Sequence, residues 1–187
     1  MRCKMLLPML LSALFLLAAS PVFSQAPTPT SAPTSARLEA MKRFDRWVGE
    51  WKGSGWTSPG GDGRHEFRID EKVQRKLGGT VLLVEGRGTR RTDKGQEVVT
   101  HEALALLYYD DKAGRYHWNA HDLRGGTIDA EPKLVDGGFE WSFRVEAGVT
   151  VRFTIRFDEK RWHEVGETSV DGSTWNKFLE MTLERQR

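Results

Sequence analysis

The 187-residue sequence has one cysteine, Cys3, and it precedes the only long apolar run. Beyond residue 3 there is therefore no thiol for a disulfide, a metal site or a nucleophile. An excess of one charge is missing too. Arg2 and Lys4 account for the whole surplus of 28 Lys plus Arg over 26 Asp plus Glu, so the rest of the chain is balanced. Without a net field or a basic block there is no case for nucleic acid or an anionic membrane as a partner. The chain also lacks a Gly-x-Ser-x-Gly elbow, a phosphate loop, a dinucleotide fingerprint and a His-Glu-x-x-His pair. Gly86-x-Gly88 has neither the third glycine nor the helix such a loop needs. Nucleophilic catalysis is unsupported and no metal is expected. Helical periodicity is scarce as well, which points away from bundles and α/β folds.

Arg2 and Lys4 lead into an apolar run from Met5 to Ala19, and Pro21-Val22-Phe23-Ser24 follows with small residues at the spacing a signal peptidase reads. Residues 1–24 are expected to be a secretory signal peptide, placing the mature domain in the periplasm or outside the cell. The run is short for a membrane span and no cysteine follows it, so no membrane anchor is expected. Residues 25–36, QAPTPTSAPTSA, have neither charge nor large apolar groups and read as an extended Pro/Thr/Ser linker. Residues 37–187 form one domain, long enough to be held by its core alone.

That domain opens with Arg37 to Asp45, which can make one or two helical turns and plug one end of a barrel. The stretch from Trp47 to Trp56 follows. At strand period Trp47, Gly49, Trp51, Gly53 and Gly55 share one face, an indole-bearing wall otherwise stripped of side chains. Strand glycines mark sharp bends or close approaches, both of which barrels need. Thereafter the period is two. Phe67, Ile69, Val73 and Leu77 alternate with polar residues, as do Phe139, Trp141, Phe143 and Val145, then Val149, Val151, Phe153, Ile155 and Phe157. Gly78-Gly79, Asp93-Lys94-Gly95, Asp136-Gly137-Gly138 and Asp171-Gly172 are hairpin-length links. The expected fold is all-β: an up-and-down antiparallel meander of about ten strands closed into a barrel, with a short N-terminal helix. Ten strands can leave room for a small molecule.

Gly49-x-Trp51, Leu77-Gly78-Gly79, the run His101 to Asp110 with Tyr116, Ser169 to Trp175, and Glu180 to Arg185 together resemble successive landmarks of the exported DUF1579-type family. That resemblance covers almost all of residues 44–185 and implies a lipocalin-like (calycin or nitrobindin-like) barrel, without implying a reaction. It also implies a basic residue of the last strand stacked on the Gly-x-Trp indole, which here is Arg185 on Trp51, a structural cap.

Several residues could give the interior a function. His65, Glu71 and Arg75 are the polar members of an otherwise apolar face, and mid-strand Glu71, paired with Arg75 or Arg87, is the strongest candidate for orienting a ligand. Phe67, Trp141, Phe143 and Phe153 would line an aromatic wall. In residues 115–122 either Tyr116, Trp118 and Ala120 or His117, Asn119 and His121 face inward, with Trp118 the ligand-binding candidate. His117 and His121 stand roughly 13 Å apart on a strand and cannot share an ion. No cofactor is expected; a haem on His117, His121 or His163, or acid/base chemistry using Glu71, is the alternative, and a dry-cored interaction module is a third. The reading carried forward is a barrel that binds a small, largely apolar molecule without chemistry. The sequence leaves its oligomeric state open.

Overall fold

A computed structural model describes residues 35–187 apart from 59, 61–62 and 146–147. The expected signal peptide and most of the linker lie outside these residues. A seven-residue helix, α1 (Ser35–Met41), runs into a 3-10 segment, Lys42–Trp47. Eleven strands follow: β1 (Gly49–Thr57), β2 (His65–Lys76), β3 (Val81–Arg91), β4 (Glu97–Asp110), β5 (Arg115–Asp122), β6 (Thr127–Ala130), β7 (Lys133–Val135), β8 (Gly138–Arg144), β9 (Thr150–Phe157), β10 (Arg161–Ser169) and β11 (Asn176–Arg185).

All eleven form one curled antiparallel sheet, a lipocalin-like half-barrel, in the order β6-β5-β4-β3-β2-β1-β11-β10-β9-β8-β7. The strand beyond the expected ten arises across residues 127–135. Pro132 has no N–H to give a ladder and splits that stretch into β6 and β7, which pair on opposite sides with β5 and β8. The two sheet edges are thus consecutive in the chain. Side chains span the seam between them, with Trp118 of β5 lying 5.8 Å from Phe139 and 5.4 Å from Trp141 of β8, ring centre to ring centre.

The helical segment plugs one end. Met41, Phe44 and Trp47 are fully buried, and the Tyr116 hydroxyl donates to the Ala40 carbonyl at 2.9 Å. Trp47 does not continue the β1 wall as its spacing suggested. It ends the 3-10 segment, Val48 and Gly49 turn the chain into the strand, and its indole packs in the plug against Trp162 (4.9 Å), Phe139 (5.2 Å) and Phe157 (5.5 Å). The Trp51 N–H donates to the Trp47 carbonyl at 2.9 Å. Gly49 has φ of 149°, and a β-carbon there would fall on the Arg185 guanidinium. That guanidinium lies 4.2 Å from the Trp51 ring centre and donates to the carbonyls of Val48 (2.7 Å) and Glu159 (2.6 Å). First strand, last strand and plug are tied at one point.

Gly53 and Gly55 on the inner face of β1 allow a close approach. A β-carbon at Gly53 would meet the Thr182 carbonyl of β11, and one at Gly55 would lie 2.6 Å from the Met181 β-carbon. The stripped wall expected from the sequence lets β11 press against β1 and coil the sheet tightly there.

Candidate functional site

The interior divides into two halves. Near the plug, the inward side chains of Val73, Leu82, Leu107, Phe139, Trp162 and Leu183 are sealed from solvent. Toward the other end the inward positions are still apolar, yet Phe67, Ala120, Ile128, Phe143, Phe153 and Leu179 are only half-buried. Solvent therefore reaches the inner face from that mouth.

Two carboxyl groups lie on the inner face between these halves, Glu71 on β2 and Glu164 on β10, each over nine-tenths buried. Glu71 pairs in register with Trp51, and Glu164 with Met181, which itself pairs with Gly55, so β1 and β11 with their glycine wall separate the two. Gly86 on β3 makes the space for one of them: a β-carbon there would fall on the Glu71 carboxylate. Among the described residues no cation pairs with either group. Burial holds Glu71 well above the usual carboxylate range, and the charge of Glu164 adds to this. Burial likewise pushes Glu164 up to about 8, opposed by the nearby Trp162 N–H. That N–H approaches the carboxyl without reaching hydrogen-bond geometry and has no other partner. The buried indole N–H groups of Trp47, Trp118 and Trp141 also lack one. Buried polar groups are normally paired, so four unmet indole N–H groups on one interior are unusual.

The other residues singled out from the sequence fall in different places. Phe67, Trp118, Trp141, Phe143 and Phe153 face inward, and Trp141 stacks on Phe153 at 4.6 Å and on Phe143 at 5.8 Å. Arg75 does not pair with Glu71. It lies at the plugged end, bonded to Asp45 and donating to the carbonyls of Gly79 (3.0 Å) and Met41 (3.1 Å). Arg87 is on the outer face. In β5 the inward set is Tyr116, Trp118 and Ala120, leaving His117, Asn119 and His121 outside, where His117 stacks on Tyr108 at 5.0 Å. His163 is also outward, 3.1 Å from Glu180. The three histidines considered for haem thus point away from the interior. Glu164 was not anticipated, although Trp162-Glu164-Gly166 on one face of β10 was a readable signal: an acid set between an indole and a glycine.

The outer face offers a contrast. A groove of about 510 Å³ crosses β1 to β5 beside Glu50, Lys52, Asp70, Lys72 and Arg87. Four of its charges pair, Lys52 with Asp70 at 3.2 Å and Lys72 with Glu50 at 2.9 Å. Those four charges are met by one another, as the inner pair is not.

No family model and no curated protein matches the chain. Solved structures do resemble it. The crystal structure of Rv2717c from M. tuberculosis aligns with TM-score 0.57 at 14% identity, covering 83% of this chain and 100% of that one. The S-type phycobiliprotein lyase CPES from Guillardia theta aligns with TM-score 0.54 at 12% identity, covering 83% and 98%. At such identities the likeness is one of fold alone, that of a lipocalin-like β-barrel.

Proposed function

We propose that this chain is an exported lipocalin-like barrel, akin to the DUF1579-type group, that binds a small, largely apolar molecule in the open half of its interior without chemistry. The observation that carries this reading is the half-buried inner wall. Phe67, Phe143, Phe153 and Leu179 face inward and still meet solvent, an arrangement that leaves apolar area to be covered by a guest. The aromatic wall suits a flat or chain-like apolar body, and a sugar or phosphate ester would leave its polar groups unpaired there.

Native mass spectrometry of protein purified gently from its own host tests the proposal, followed by extraction of whatever is retained. The expected result is one apolar molecule per chain, weakened by Trp141→Ala. Recovery of a polyanion, or saturable binding unaffected by both Trp141→Ala and Glu71→Gln, would move the site to another surface.

A further inference from the structure

Glu71 and Glu164 are two acids from separate strands, each more than nine-tenths buried and facing one interior, and among the described residues no cation answers them. Their own inner-face neighbours are glycine or apolar, Gly53, Gly86 and Met181 among them. The other charged or titratable groups on that face lie away from them. His65, Arg90, His101 and Asp122 are at the mouth, where Asp122 is held by the amides of Arg124 and Gly126. Arg75 and Arg185 are at the plug, bound to main-chain carbonyls. A core that needed only packing would carry apolar residues at 71 and 164, since isolated buried acids cost stability.

A second observation points the same way. The Trp162 N–H, buried and without a partner, is turned toward Glu164, where it would gain a full acceptor if that carboxyl became charged. On the same inner wall Trp118 and Trp141 stack, 5.4 Å apart. Indole faces attract cations and repel anions.

We propose that Glu71 and Glu164 form a two-carboxyl receptor for the ammonium head of an amine-bearing apolar ligand, whose body lies along the Trp118–Trp141–Phe153 wall. This rests on the small-ligand reading above and adds the ligand's class. In the free protein the pair keeps its protons, because burial disfavours its charge. As the ammonium enters, a carboxyl proton leaves for solvent, and the carboxylate left behind pairs with the incoming charge. Binding therefore exchanges one cation for another, and affinity rises with pH until the pair is ionised without the ligand.

The test is isothermal titration of the purified protein with octylamine, octanol and octanoate, at about pH 6 and about pH 8, in buffers of different ionisation enthalpy. Octylamine should bind at least about tenfold more tightly than octanol at the higher pH and release protons, and its advantage should shrink at the lower pH. Octanoate should bind least. Glu164→Gln and Glu71→Gln should each abolish the preference for the amine and the proton release while octanol still binds, which also shows that the variants are folded. Equal affinity for octylamine and octanol at both pH values would overturn the receptor and leave the small-ligand reading standing. Failure of all three probes to bind would overturn both.

Discussion

At the plugged end Arg75, Arg185, Tyr116 and Trp51 each set a polar group on a main-chain carbonyl, whereas halfway to the mouth Glu71, Glu164 and the indole N–H groups of Trp118 and Trp141 have no such partner. Both regions are rich in tryptophan, so aromatic content does not tell them apart. What differs is how burial is compensated. In the plug most polar atoms are consumed in tying elements together, and the N–H groups of Trp47 and Trp162 are the exceptions among its indoles. Beside the mouth they remain available. A buried group with a partner serves the fold; one without a partner is a cost that the plug's packing has to offset.

Emptying the plug should be the most damaging change to the molecule. Trp47→Ala removes an indole with no solvent exposure that touches Phe139, Phe157 and Trp162, and should cost about 3–5 kcal/mol in urea unfolding. A loss below about 1 kcal/mol would show that the plug is not what holds the sheet closed.

A smaller effect, and one of opposite sign, is expected from the pair. The Glu164 carboxyl titrates at about 8 in the fold and at 4.5 when free, so the folded chain retains a proton that the unfolded chain gives up. Stability is then full below the free value and falls as pH rises toward 8, with Glu71 contributing in the same direction. Glu164→Gln should flatten that decline and unfold at higher denaturant than the parent at about pH 8. The gain should be a few kcal/mol, since each tenfold change in a group's proton affinity is worth about 1.4 kcal/mol. A variant whose stability follows the parent across this range would mean that the carboxyl is solvated in the folded protein.

The mildest break is at the cap. Arg185→Ala loses the stack on Trp51 and three carbonyl contacts, to Arg46, Val48 and Glu159, and should cost about 1–2 kcal/mol, while Arg187→Ala should change little. Equal, negligible effects at both positions would mean that the tie between first and last strands resides in the ladder alone.

Most of the fold was legible because alternation is a local property. A strand with one dry face writes its orientation into every second residue, as Phe139, Trp141 and Phe143 do. Glu71 stood out for the same reason, an acid on an apolar face. Residues 115–122 resisted because both faces carry rings and polar atoms, so only the register with β4 could decide which turned inward. Trp47 was misplaced by extending the strand's period back through Gly49, where the chain changes direction. The attachment of Arg75 to Asp45 was out of reach, since it depends on where the plug docks and no spacing records that. The split at Pro132 was visible as a residue, but that it would become the sheet's boundary followed only from the closure of the whole.

The seam between β6 and β7 has a consequence for the order of events. Because the two edges are consecutive in the chain, the first strand and the last become central neighbours, with Trp51 opposite Arg185. Until β11 has been made, β1 has only one flank to pair with, and the longest-range pairing in the domain is the final one available. The sheet thus stays unclosed until β11 has been made, with its first strand waiting. Such lateness suits a chain that crosses a membrane before it folds, as the proposed export requires.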